Sequence, residues 1–113
     1  MISNKVQGII NLHSSTLYPA VMEIIFINDD NGEKFKQAID YWLNEKNMIV
    51  RYKDKLSDLT ISVDILFKNQ GLFLIFINNI LSEFSFYDER PRKIINKENL
   101  IHEVKKLFIA VDT

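Results

Sequence analysis

The chain has 113 residues, of which 47% are hydrophobic and none is cysteine, and its formal net charge is −1. A chain of this length and hydrophobic content can bury one core without disulfide or metal staples, so we expect a single domain over residues 1–113. The lack of cysteine excludes disulfides, thiolate zinc sites and cysteine nucleophiles. A pI of about 6.1 disfavours nucleic-acid binding, because domains with that function are usually basic.

The first segment, MISNKVQGIINLHSS, is predicted to belong to the mature protein. Its apolar stretch is short, is interrupted by Gln7, Gly8 and Asn11, and has no small-residue cleavage site, so it lacks the features of a signal peptide. We therefore expect a cytoplasmic protein. Strands are predicted over residues 6–12 and 21–28, where β-prone residues dominate.

The next element is predicted to be an amphipathic helix that begins near Asp30. Asp30 and Glu33 have the spacing of a capping box, with Asp in place of the usual Ser or Thr. The apolar residues that follow recur at the spacing of one helix face. They are Phe35, Ala38, Ile39, Trp42 and Leu43.

Two further strands are predicted over residues 48–52 and 59–65. In the second of these, apolar residues alternate with Thr60, Ser62 and Asp64, which is typical of an antiparallel strand with one face in water. On this pattern Asp64 is expected to be solvated.

The stretch GLFLIFINNILSEFSFYDERPR, residues 71–92, is the most apolar part of the chain. Its uninterrupted apolar run is far shorter than the roughly 20 residues that a membrane-spanning helix needs. We interpret it as a central strand over residues 72–77, a turn at Asn78-Asn79 and a strand over residues 80–87. This hairpin would place Phe73, Ile75 and Phe84 in the core.

The last element is predicted to be a second amphipathic helix, with Asn96 as its N-cap and Lys105 and Lys106 late in the helix, where cations suit the helix dipole. Its apolar stripe comprises Leu100, Ile101, Val104, Leu107, Phe108 and Val111.

The order of these elements predicts an α+β domain: a largely antiparallel twisted sheet of about five or six strands, with two amphipathic helices packed on it. Two helices would cover only part of such a sheet, and the rest would remain accessible to a partner. An exposed sheet edge could also pair with a second copy of the chain, so a homodimer fits the pattern.

Acidic residues around the first helix are the main candidates for a binding site. The helix dipole and capping account for those at its start, but the acids continue along the helix and are joined by a tyrosine outside the apolar stripe, which favours a surface for a basic partner. The predicted partner-binding residues are Asp29, Asp30, Glu33, Asp40, Tyr41 and Glu45. A second choice, at strand ends, comprises Tyr52, Tyr87, Asp88 and Glu89.

Two other interpretations stay open. Cations near aromatic residues could follow a phosphate backbone in a nucleic-acid-associated or phage accessory protein; these are Arg51, Lys53, Arg90, Arg92 and Lys93. A small enzyme or ligand-binding domain could instead use His13 or His102, although neither has the spacing of a nucleophile and its base or of a metal site.

No catalytic residue, metal ligand or cofactor is predicted. In particular, the three glycines are isolated and form no phosphate-binding loop. The chain is rich in Ile, Asn and Lys, as in AT-rich bacterial or phage genes. We therefore expect a bacterial inhibitor or immunity-type protein that neutralises a basic partner, such as a nuclease toxin, by occluding it.

Overall fold

A computed structural model of the chain describes residues 4–46, 48–53, 59–80, 83–88, 93–94 and 97–112. Within these ranges the chain forms six strands and three helices. In chain order they are β1 (Asn4–His13), β2 (Ala20–Ile27), α1 (Asp30–Lys46), β3 (Ile49–Tyr52), β4 (Thr60–Phe67), α2 (Gln70–Ile80), β5 (Phe84–Asp88), β6 (Lys93–Ile94) and α3 (Lys97–Asp112).

The six strands form one sheet in the order β3-β4-β2-β1-β5-β6. Four of the neighbouring pairs are antiparallel, and the remaining pair, β1 with β5, is parallel. The predicted α+β class and largely antiparallel sheet are thus confirmed, whereas the described residues form three helices rather than the predicted two.

All three helices pack against the same face of this sheet. The strand register places Leu12, Met22 and Ile65 side by side across β1, β2 and β4, and residues of this parity join helix side chains in one buried cluster. From the helices, that cluster contains Phe35 and Ile39 of α1, Phe73, Phe76, Ile77 and Ile80 of α2, and Leu100, Val104 and Phe108 of α3. We call the opposite side of the sheet the open face, because no described helix covers it.

The predicted hairpin over residues 72–87 is wrong in its first half. Residues 70–80 form helix α2, and the predicted turn at Asn78-Asn79 lies in its last turn. Phe73 and Phe84 are buried as predicted, whereas Ile75 is 40% exposed. The predicted strand over residues 80–87 shortens to Phe84–Asp88.

Both capping and topology favour a helix in this segment. The Asn69 side-chain oxygen accepts a hydrogen bond from the Leu72 backbone N–H at 2.9 Å, which is the bond that an N-cap residue makes. The buried residues Phe73, Phe76, Ile77 and Ile80 then repeat at helical spacing. In addition, β4 and β5 are parallel to each other, because both run parallel to β1. Parallel strands need a crossover connection, usually a helix, rather than a tight turn.

The stripes predicted for the other two helices are confirmed where side chains are described. Phe35 and Ile39 of α1 are buried, as are Val104 and Phe108 of α3. The predicted cap of α3, Asn96, lies outside the described residues.

Gly32 allows α1 to begin close against the end of β2. A Cβ at this position would collide with the backbone carbonyl oxygen of Ile27 and approach the Phe26 ring at 3.3 Å. Because a backbone atom cannot move aside as a flexible side chain does, we infer that Gly32 sets how closely α1 docks on the sheet.

The first prediction distinguishes the helix from a strand in residues 70–80. Phe73→Ala should lower the free energy of unfolding by about 3–5 kcal/mol, because it leaves a cavity under α2. Ile75→Ala, two positions away, should change it by less than about 1 kcal/mol, because that side chain is partly exposed and alanine favours helix. Chemical denaturation of both variants provides the measurement, and equal losses would contradict the helix.

A second prediction concerns Gly32. Gly32→Ala should destabilise the protein by about 1–3 kcal/mol through overpacking at the start of α1. The matched control is Gly71→Ala, in the first turn of α2, where the nearest neighbour of an added Cβ is the Asn69 side chain at 3.3 Å. That variant should stay within about 1 kcal/mol of the wild type. If Gly32→Ala has the same melting temperature as the wild type, α1 can shift without a loss in the free energy of unfolding.

Candidate partner-binding surface

The acidic start of α1 serves partly to cap the helix. An Asp29 side-chain oxygen accepts a hydrogen bond from the Gly32 backbone N–H at 2.9 Å, and the Asp29 carbonyl accepts one from the Glu33 N–H at 2.9 Å. The N-cap is therefore Asp29 and not Asp30, which is the first helical residue. Capping accounts for the carboxylate of Asp29, so that residue gives weak support to a binding site.

The other predicted residues of α1 fall on two flanks of its exposed side. Glu33 and Asp40 are two turns apart and share the flank beside β3, whereas Tyr41 is rotated from Asp40 by about 100°. Tyr41 shares its flank with Glu45, one turn later. Tyr41 is 63% exposed, and no intramolecular hydrogen bond or ring contact accounts for its position among the described residues.

A hydrogen bond joins α1 to the edge strand β3. The Tyr52 hydroxyl donates to a carboxylate oxygen of Asp40 at 2.7 Å, which brings a first-choice and a second-choice residue together on one surface. The Lys36 ammonium lies 5.8 Å from the centre of the Tyr52 ring, within the range of a cation–π contact. Lys36 is a residue that the sequence analysis did not select.

The Tyr52 hydroxyl is held in its neutral form. Burial of the side chain is the largest cause of its raised pKa. The hydrogen bond to Asp40 and the charges of Asp40 and Glu33 raise the pKa further. A deprotonated Tyr52 would place its negative charge beside two carboxylates. The hydroxyl therefore stays protonated, and remains a hydrogen-bond donor, at pH values well above the usual pKa of tyrosine. The effect of Glu33 on Tyr52 also indicates that Glu33, Asp40 and Tyr52 form one local group.

An ion-pair network crosses the open face of the sheet. Asp64 is only 4% exposed and is approached by Arg51 at 3.5 Å and by Lys53 at 3.3 Å. Lys53 also pairs with Glu23, and Glu23 accepts a hydrogen bond from the Asn11 amide at 3.2 Å. The prediction that Asp64 is solvated is therefore wrong, because cations from the neighbouring strand cover it.

The pKa directions agree with this network. The hydrogen bond from Lys53 is the largest cause of the lowered pKa of Glu23, followed by the bond from Asn11. The bond to Glu23 is in turn the largest cause of the raised pKa of Lys53. Two basic residues proposed for nucleic-acid contacts, Arg51 and Lys53, are therefore already paired with acids.

Of the remaining basic candidates, Lys93 lies far from these two. Lys93 is on β6, at the opposite edge of the sheet from β3, and Arg90 and Arg92 lie outside the described residues. Arg51 and Lys93 thus do not share a continuous strip at one edge.

Two other second-choice residues, Tyr87 and Asp88, and the two histidines are also dispersed. Tyr87 and Asp88 lie on β5, which is separated from β3 and its Tyr52 by the strands β4, β2 and β1. Glu89 lies outside the described residues. His13 points to the open face at the end of β1, whereas α3, which carries His102, packs on the other face. The fold does not bring the two histidines together.

Comparison with protein-family models, with curated proteins and with solved structures found no match to this chain. Among the described helices, none is long and apolar enough to cross a membrane. Within the same residues, no three His, Asp or Glu side chains lie together as metal ligands would.

The third prediction tests the electrostatics of Tyr52 through pH. Because the folded state raises the pKa of this group, the unfolded chain loses the tyrosine proton at a lower pH than the folded protein does. Stability from this source is complete below the ordinary value near 10 and falls as the pH rises above it. Tyr52→Phe should therefore flatten the loss of stability between pH 9 and 11, measured by urea denaturation.

A second variant keeps the tyrosine and removes its acceptor. Asp40→Asn should flatten the same loss of stability in part, because the hydrogen bond to Asp40 and the charge of Asp40 both raise the pKa of Tyr52. Identical slopes for Tyr52→Phe and the wild type would show that folding does not raise the pKa of Tyr52.

Proposed function

We propose that this protein binds another protein through the exposed side of α1 and the adjoining Tyr52. The observation that carries the proposal is the exposed Tyr41, which packing does not explain and which stands beside Glu45 and the Asp40–Tyr52 pair. Tyrosines that are exposed in the free protein and lie among polar residues are frequent anchors of interfaces. The carboxylates around it would orient and attract a partner.

The charge of this surface favours a basic partner. Residues 29–46 contain five carboxylates and three lysines, and the capping carboxylate of Asp29 belongs to the helix terminus. A modest excess of negative charge acts mainly on the rate of encounter with a cationic partner. We therefore propose a cytoplasmic inhibitor or immunity-type protein of a bacterium, which would neutralise a basic toxin such as a nuclease by occluding it.

A preformed arrangement supports an inhibitory role. The Asp40 hydrogen bond fixes the Tyr52 hydroxyl before any partner arrives, and α1 is anchored by buried Phe35 and Ile39. A binder whose contact groups are fixed in advance loses little conformational entropy on association. Such rigidity suits a small protein that must occlude its target tightly.

The fourth prediction tests this surface with matched helix variants. Immobilised wild-type protein should retain a basic protein from the source cell, and Tyr41→Ala should shorten its residence about thirtyfold or more, the equivalent of a lost anchor worth about 2 kcal/mol. Glu45→Lys should slow association and weaken its salt dependence. Surface plasmon resonance with the purified partner gives both rates.

The control is Glu103→Lys on α3, which makes the same charge change on another exposed helix and loses only a 3.8 Å pair with Lys106. It should bind as the wild type does. If all three variants bind equally, α1 is not the interface. If binding depends on α1 but the saturated partner keeps its own activity, the inhibitory part of the proposal is wrong.

A further inference from the structure

A groove lies between α1 and the edge strand β3. Among the described residues it is lined by Lys36, Asp40, Tyr52, Lys53 and Ile61, and its volume is about 400 Å³. That volume is at the lower end of the range for small-molecule sites, and is enough for one long side chain of a partner. The groove adjoins the surface to which the proposed function assigns binding, and the inference below rests on that proposal.

The groove combines an apolar floor, an aromatic wall and an acid. Ile61 is partly buried against the core, Tyr52 presents its ring, and Asp40 holds the hydroxyl of that ring at 2.7 Å. A carboxylate can accept about four hydrogen bonds, so Asp40 retains acceptor capacity after it binds Tyr52. Ile61 can pack against the aliphatic stem of a basic side chain, the Tyr52 ring can pack against its planar head group, and Asp40 can pair with its positive charge.

The cations of the lining do not make this an anion site. Lys53 already contacts Glu23 and Asp64 on the open face, so its charge is compensated. Lys36 lies over the Tyr52 ring at 5.8 Å, which indicates that the ring and the carboxylates near it attract a cation. In the unbound protein, Lys36 is that cation.

We propose that the groove binds an arginine side chain of the partner protein, with its guanidinium group against Asp40 and the Tyr52 ring and its aliphatic stem along Ile61. Arginine fits better than lysine, because its planar head can both stack on an aromatic ring and donate two parallel hydrogen bonds to a carboxylate. Lys36 then competes with the incoming guanidinium for the same ring.

The test uses a small probe, so it does not depend on finding the partner. Nα-acetyl-arginine amide is titrated into the isotope-labelled protein, and amide and side-chain resonances are followed by NMR. Resonances of Tyr52 and Ile61 should shift in a saturable way, and the neutral analogue Nα-acetyl-citrulline amide should shift them at least about tenfold less effectively, because it lacks the charge.

Two variants separate this arrangement from a nonspecific charge effect. Asp40→Asn keeps the shape of the side chain but should weaken arginine binding about tenfold or more. Lys36→Met should tighten it about twofold or more, since the competing cation is removed while the stem is kept. Glu103→Gln, on α3, should bind the probe as the wild type does.

The proposal is overturned if citrulline and arginine amides bind equally, if Lys36→Met weakens arginine binding, or if inorganic phosphate shifts the same resonances in saturable fashion. The last result would identify an anion site that uses Lys36. These outcomes leave the proposed function standing as long as Tyr41→Ala still shortens the residence of the partner. Conversely, if the arginine probe binds in a saturable way but Tyr41→Ala does not change the residence of the partner, the groove is supported and the wider surface is refuted.

Discussion

The packing of the Phe35 ring is the contact on which the rest of the molecule depends. Its centre lies 5.1 Å from that of Phe26 on β2, and 5.4 Å and 4.9 Å from those of Phe84 and Phe86 on β5, all with edge-to-face geometry. Since β1 lies between β2 and β5, one side chain of α1 contacts the two strands that flank β1. Gly8 of β1, opposite Phe26, adds no side chain at the centre of this group.

The position of the proposed binding surface depends on that contact. Phe35 and Ile39 fix the rotation of α1 about its axis, and this rotation brings Asp40 within hydrogen-bond distance of Tyr52 while Tyr41 faces outward. Gly32 fixes where the helix begins along the sheet. A site composed of a helix side chain and an edge-strand side chain is therefore only as well defined as the docking of α1.

The sequence predicted most elements but misassigned one for a physical reason. α1 and α3 have clear periodicity, and burial follows it where side chains are described. The alternation in β4 correctly indicated a strand, but burial does not follow it, because Ser62, Asp64 and Leu66 are buried as well. In α2 residues 72–77 are all apolar, so neither periodicity stands out, and β-branched and aromatic residues favoured the strand. The Asn69 cap and the spacing of Phe73, Phe76, Ile77 and Ile80 were the available helix signals.

Within the candidate site, single residues were predictable and their partners were not. Asp40, Tyr41 and Tyr52 could be selected as polar or aromatic residues outside the apolar stripes. The Asp40–Tyr52 bond and the burial of Asp64 depend on how α1, β3 and β4 pack against one another, because each arises between side chains of different elements. Register is a cooperative outcome of packing, and short local patterns carry little information about it.

The parallel pairing of β1 with β5 has a consequence for how the chain folds. Asn4 and Phe84, which are partners in this ladder, are 80 residues apart, so one side of β1 stays unpaired until most of the domain has been synthesised. At about 5–20 residues per second, this interval lasts on the order of 4–16 s. During that time β1 can form a hairpin with β2 but offers an open edge to other nascent chains, and long-range closure of this kind also slows folding. The strand at the centre of the finished sheet is thus the most vulnerable to aggregation while the protein is being made.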